Sequence, residues 1–154
     1  MTTSYFCEIK KLPVTPTLSI RTRTAVQELP NVMHKAFGAI VQYLGEIGEL
    51  QDSPAYAAYY NMDMQNLDVE IGFPVSKDLP GKNDIKASNI PAGKYASCVF
   101  TGPYSDIEPA YTTLSRWINE KGYDVTGIAY ELYLNDPDVT PPNELKTEIL
   151  FPLK

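Results

Sequence analysis

Residues 129–135 read AYELYLN, and the only charge among those tyrosines and leucines is Glu131. A carboxylate in such company can attract a cation, or handle a proton once burial lifts its pKa. Strand alternation places Ala129, Glu131, Tyr133 and Asn135 on one face and Ile128, Tyr130, Leu132 and Leu134 on the other. The second set suits helices and a core. The first set combines a small residue, a carboxylate, a ring and an amide. That mixture fits the lining of an organic-ligand site, which is mostly apolar with a few placed polar groups. It fits an ordinary solvent face equally well.

Other chemistries have less support. The single histidine, His34, cannot make a histidine-based metal site, and the chain has no CxxC, HExxH or phosphate-cradling glycine loop. No cofactor is therefore expected. Cys7 and Cys98 sit in strand-like runs among bulky residues and read as small buried hydrophobes with free thiols in a reducing cytoplasm. The net charge of −6, without a lysine or arginine run, argues against direct nucleic-acid binding. No apolar stretch approaches the roughly 20 residues of a membrane span. The opening MTTSYFCEIKKLP lacks a basic start followed by an apolar block, so a cytoplasmic location is expected. Tyrosine is abundant, with eleven copies. Its large ring and polar tip serve both cores and pockets for flat organic molecules.

The elements that must position these residues occur twice. LDVEIGFPV (67–75) aligns without a gap on LKTEILFPL (145–153), an offset of 78 residues. AFGAIVQYLGEIG (36–48) resembles AYTTLSRWINEKG (110–122) at an offset of 74, which implies that one loop changed length. In the first repeat (17–76), TLSIRTRTAV alternates as a strand. A helix follows, with Asn31 as N-cap, Gly48 as stop, and Met33, Phe37, Ile40, Val41, Leu44 and Ile47 as its stripe. Strands AYAAYYNM (55–62) and LDVEIGFPV complete that repeat. The second repeat (93–154) has the strand GKYASCVFTG and a helix striped by Ile107, Tyr111, Leu114 and Ile118. Ser105 as a capping box and Pro109 as first helical residue both fit its start, and Gly122 ends it. Strands 126–135 and 145–153 follow, and a further strand, YFCEIKKL (5–12), precedes both repeats. Residues 77–92, within a stretch rich in Pro, Gly, Lys and Asn, read as the linker.

The fold expected is α+β, with two strand–helix–strand–strand repeats forming antiparallel sheet and two helices on one face, all within a single domain spanning 1–154. A seam between such repeats leaves a groove, and grooves of that kind hold ligands. Phe37, Tyr59, Tyr95, Tyr104, Tyr111 and Trp117 are the aromatics expected near it. Core packing is the competing reading for each, above all for Phe37 and Tyr111 on the helix stripes. Trp117 lies off the main stripe, so packing explains it less completely.

Taken in order, VEIGFPV, GKYA, TGPY, YELYLNDP and TEILFPL resemble the GyrI-like small-molecule-binding domain, also called the AraC-type effector-binding domain. The resemblance runs from about residue 4 to 153. It implies two strand–helix–strand–strand units with a groove between them. It further implies a pocket for amphipathic, cationic or flat aromatic compounds, with a buried glutamate ringed by tyrosine, phenylalanine and tryptophan. That glutamate maps onto Glu131, with Tyr133 beside it. The domain often follows a helix-turn-helix segment. This chain starts almost at its first strand and so resembles a stand-alone member.

Some stand-alone members resemble hydrolases that open the cyclopropane of DNA-alkylating natural products. There the glutamate and a tyrosine activate or orient water, which makes Glu131 and Tyr133 the catalytic candidates. The resemblance also leaves open a gyrase-inhibiting role, with DNA gyrase or a second copy of the chain as partner. Haem-binding SOUL proteins have a similar doubled fold, but a lone helical histidine such as His34 reads as a surface or cap residue.

Overall fold

A computed structural model describes residues 5–49 and 54–154. Among these the chain forms eight strands and two α-helices, an α+β fold in which the strand pairings within each unit are antiparallel. The strands are β1 (Cys7–Leu12), β2 (Thr15–Thr24), β3 (Ala55–Tyr59), β4 (Leu67–Pro74), β5 (Lys86–Ile90), β6 (Gly93–Thr101), β7 (Ala129–Tyr133) and β8 (Lys146–Pro152). The helices are α1 (Leu29–Glu46) and α2 (Glu108–Glu120), each entered through a single 3-10 turn. Among the described residues no helix is long and apolar enough to cross a membrane.

The chain divides into two compact units. The first, Pro13–Ala92, orders its strands β3-β4-β2-β5, with α1 packed on β2 and β4. Leu18 and Phe73 are direct cross-strand partners on the face that α1 covers. They meet Ile40, Tyr43 and Leu44 of the helix, so alternation along the strands and 3.6-residue spacing along the helix converge on one core. Val41 and Ile47, expected in the helix stripe, are exposed. The buried side of α1 is instead centred on Ala36, Ile40, Tyr43 and Leu44, with the Tyr43 hydroxyl donating to the Pro80 carbonyl at 2.8 Å.

Asn31 is not the N-cap. Pro30 occupies the first turn of α1, where its missing N–H costs nothing, and Glu28 holds the cap position. Gly48 does end the helix, at φ 75°. The segment expected to be a plain linker contains β5, which pairs with β2 at the edge of the sheet. Its sequence, KASNI, offers only one buried apolar side chain, Ile90. That polar composition is typical of an edge strand and conceals it from periodicity.

Gly72 shows how closely β2 approaches β4. A Cβ there would lie 2.3 Å from the Leu18 carbonyl oxygen and 2.9 Å from the Ser19 Cα, both backbone atoms that cannot turn aside. Gly72→Ala is expected to destabilise the protein by about 2 kcal/mol or more, read as a fall in the urea midpoint.

The second unit joins the described part of Met1–Leu12 to Gly93–Lys154 and orders its strands β1-β6-β8-β7. Here α2 packs on β6, and Ala110, Leu114 and Ile118 meet Ala96, Cys98, Phe100 and Ile149. The helix α2 begins at Glu108 with Ile107 at the cap, so Ser105 is not its cap and Pro109 is its second residue, one later than expected but still in the first turn that tolerates proline. Gly122 follows the helix at φ 79°. The registers of the two units run in parallel. Ala57 lies opposite Ile71 in the first, and Glu131 lies opposite Ile149 in the second. The position corresponding to Glu131 is therefore an alanine. The offset of 74 there becomes 78 at Ile71 and Ile149, which places the extra residues in the loop between β7 and β8.

Candidate functional site

Glu131 is buried. Each carboxylate oxygen accepts one tyrosine hydroxyl: Tyr133 donates to Oε1 at 2.9 Å, and Tyr111, from α2, donates to Oε2. Burial pushes the carboxyl above its ordinary value, and the two hydroxyls pull it only part of the way back. Both rings are held in turn. Tyr104, in the 3-10 turn before α2, sets its ring edge-on to Tyr133 at 5.5 Å between centroids, and Tyr111 tilts against Phe151 at 5.7 Å. Tyr104 is partly open to solvent, and its hydroxyl pKa is raised by burial and by the nearby Asp136 and Glu131 carboxylates. Thr147 lies directly opposite Tyr133, and its buried Oγ1 has no hydrogen-bond partner.

The face that carries Glu131 is the reverse of the one expected. Directly opposed residues of an antiparallel sheet share a face. Glu131 is opposite Ile149, Ile149 is opposite Cys98, and both of those neighbours belong to the core beneath α2. Tyr133 and Glu131 thus point toward the helix, where Tyr111 reaches them. Tyr130 and Leu132, expected on the helix side, face the other way, and Tyr130 packs edge-on against Tyr95 with centroids 6.1 Å apart. Tyr111 decides the matter, because its hydroxyl supplies the carboxylate with a donor on the helix side.

Of the residues singled out from sequence, Glu131, Tyr133, Tyr111 and Tyr104 come together in the second unit. Trp117 is half-buried on α2 and packs against that unit's core, with Lys121 Nζ 6.0 Å from its ring centroid. Tyr95 is fully buried on the opposite face of the same sheet, apart from the Glu131 cluster. Phe37 and Tyr59 belong to the first unit, where Phe37 tilts against Phe73 at 5.4 Å in the core and Tyr59 is half-buried in β3. His34 is exposed on α1. Among the described residues no group of three or more His, Cys, Asp or Glu stands ready to hold a metal ion.

Two further buried carboxylates escaped the sequence reading. Glu70 accepts the Tyr56 hydroxyl at 2.7 Å and the Tyr60 hydroxyl at 2.6 Å. Burial opposes its ionisation, yet these donors, with Ser19 and Ser88, bring its pKa below the ordinary value. The Tyr60 ring is already covered by a cation of the chain itself, Arg21, whose guanidinium carbon sits 3.9 Å from the centroid. Glu148, at the matching place in the second unit, accepts Lys10 Nζ at 2.5 Å and Ser97 Oγ at 2.7 Å. The repeat did align Glu70 with Glu148, and that coincidence of two acids inside strands was the available signal. Among the described residues the donors to Glu131 are two tyrosine hydroxyls alone, whereas serine hydroxyls also serve Glu70 and a lysine serves Glu148.

Comparison with known proteins agrees with this architecture. No curated protein sequence matches the chain. Among solved structures, the EcmrR–DNA complex in the EcmrR-RPo assembly superposes with a TM-score of 0.84 at 23% identity, covering 97% of this chain and 57% of that one. The chain thus spans little more than half of that relative. The structure of SAV2435 bound to tetraphenylphosphonium matches with a TM-score of 0.66 at 14% identity, covering 97% and 94% of the two chains. A hydrolase encoded by lin2189 from Listeria innocua matches with a TM-score of 0.68 at 14% identity, covering 96% and 91%. At such identities the likeness is one of fold. The model of the GyrI-like small molecule binding domain matches residues 6–154. Nearly the whole described chain lies within that match, and the chain belongs to the GyrI-like small-molecule-binding domain family.

Proposed function

We propose that the protein binds amphipathic organic cations and flat aromatic cations at Glu131. The observation that carries this reading is a buried carboxylate whose hydrogen-bond donors, among the described residues, are the neutral hydroxyls of Tyr111 and Tyr133. Such a group has given up hydration without gaining a counter-ion, so a lipophilic cation supplies what the protein leaves out. The rings of Tyr104, Tyr111 and Tyr133 add apolar surface and a cation–π attraction of roughly 0.5–2 kcal/mol. Trp117 extends the aromatic character along α2. Family membership and the tetraphenylphosphonium held by the distantly similar SAV2435 agree with a ligand of this class. Calorimetric titration with tetraphenylphosphonium, against the neutral triphenylphosphine oxide, tests the charge requirement. The cation is expected to bind at least tenfold more tightly, and equal affinities would remove Glu131 as the anchor.

A second reading has one specific observation behind it. A carboxyl with a raised pKa in contact with two phenolic hydroxyls can pass a proton, as a hydrolase opening a strained cyclopropane requires. In that reaction a water oxygen bonds to a ring carbon and the strained C–C bond breaks. The released electron pair runs into a conjugated carbonyl, whose oxygen gains a proton. Glu131 would take the water's proton, and Tyr133 or Tyr111 would orient the water. Chromatography of a cyclopropane-containing DNA alkylator with the protein decides between catalysis and sequestration. A hydrated, ring-opened product beyond one equivalent supports turnover, and its absence leaves binding alone.

A further inference from the structure

We infer that Cys7 and Cys98 are a paired oxidation site that closes into an intramolecular disulfide. Three observations carry this. The residues are direct cross-strand partners in the β1–β6 register, so their side chains leave the sheet on the same face. Opposed positions in antiparallel sheet have Cα atoms about 4.5–5.5 Å apart, within the range a disulfide spans. Both thiols are free, and that of Cys7 meets no closer partner than the Tyr5 carbonyl oxygen at 3.9 Å. Their exposure also differs in a useful way. Cys98 is sealed in the core beneath α2, whereas Cys7 is half-buried on a strand at the sheet edge.

The reagent class is a two-electron oxidant such as hydrogen peroxide. The Cys7 thiolate attacks one peroxide oxygen, the O–O bond breaks, and hydroxide leaves as water, giving a sulfenic acid. The Cys98 sulfur then attacks the Cys7 sulfur, the S–O bond breaks, and a second water leaves. Overall, two thiols and one peroxide become one disulfide and two waters. Burial raises both thiol pKa values, Cys98 to about 12, so the reaction is slow at neutral pH and quickens as pH rises. The bond would staple the edge strand β1 to β6. Cys7, Cys98, Ile149 and Glu131 form one continuous row across the four strands, so the staple lies in the same row as the candidate ligand site.

The test treats the full chain with hydrogen peroxide at neutral and alkaline pH and follows intact mass and non-reducing peptide maps. The expected result is a monomer lighter by two hydrogens, with the Cys7 and Cys98 peptides joined. Formation should be faster at the higher pH, the melting temperature raised by several degrees, and both changes reversed by a thiol reductant. Cys7→Ser, at the more exposed position, is expected to fold and to show no loss of mass. Disulfide-linked dimers, sulfinic acid on Cys7 without a cross-link, or unreacted thiols at alkaline pH would each overturn the inference. None of these readings depends on a ligand.

Discussion

Glu131→Gln is expected to weaken the binding of tetraphenylphosphonium or ethidium by about 1–3 kcal/mol, roughly 5- to 150-fold in Kd, with little change for neutral aromatics. The substitution keeps the volume of the side chain and removes only its charge. The amide oxygen keeps one of the Tyr111 and Tyr133 hydroxyls, and the other, part-buried hydroxyl can turn to accept from the amide NH2, so the fold is retained. Calorimetry on wild type and variant, with one cationic and one neutral ligand each, measures the effect. The pH dependence carries a definite sign. Burial places the native Glu131 pKa above its value in the unfolded chain, so cation affinity rises as pH climbs through that elevated pKa and falls on acidification. The same shift gives native Glu131 a stabilising contribution that is complete below the ordinary carboxylate pKa. That contribution is lost as pH rises through the native value. Wild type should therefore lose stability relative to Glu131→Gln across that interval, and a pH series of urea midpoints for the two proteins reports it.

Glu70→Gln should behave in the opposite way, and its effect falls on stability. Glu70 is held ionised by Tyr56 at 2.7 Å and Tyr60 at 2.6 Å, with Ser19 and Ser88 adding further donors. The Tyr56 hydroxyl oxygen in turn accepts from Thr17 Oγ1 at 3.0 Å, and burial together with the Glu70 charge drives the Tyr56 pKa upward, so it remains a neutral donor. An amide offers one acceptor oxygen where the carboxylate offered two, and its NH2 group meets hydroxyls already committed as donors. A loss of about 3 kcal/mol is expected, seen as a lower urea midpoint at unchanged slope. Because the native Glu70 pKa is depressed, its contribution is complete above the ordinary carboxylate pKa and disappears as pH falls through the native value. The gap between wild type and variant therefore closes toward acid. Two buried glutamates, each touched by two tyrosines, thus have opposite stability profiles, because only Glu70 has donors enough to outweigh its desolvation.

Much of this was legible in the residue order. The doubled LDVEIGFPV and LKTEILFPL strands, the helices ended by Gly48 and Gly122, and the grouping of Glu131 with Tyr133 all follow from periodicity and turn chemistry. Periodicity, however, reports which residues share a face and not which face meets a helix. Tyr130 and Leu132 are as apolar as a core demands, so the helix side was assigned to them. The deciding group was Tyr111, a residue of α2 whose hydroxyl reaches the carboxylate across the layer. The edge strand β5 is hidden in the sequence because Lys86, Ala87 and Asn89 are exposed and Ile90 is its one buried apolar residue, so no apolar alternation marks it. Glu70 looked like a wet-face residue for a related reason. The hydroxyls that satisfy it come from Tyr56 and Tyr60, 14 and 10 residues away in sequence, and only the sheet register brings them together. Aligning β3 with β7 by register also reveals Ala57 where the second unit has Glu131.

The most direct measurement is the location of a bound cation. Crystals grown with tetraphenylarsonium carry an anomalous scatterer at the centre of the positive charge. The arsenic is expected beside the Glu131 carboxylate, with the rings of Tyr104, Tyr111 or Tyr133 against its phenyl groups. A fully occupied arsenic site elsewhere on the protein, with Glu131 still holding only its two tyrosine hydroxyls, would contradict the account.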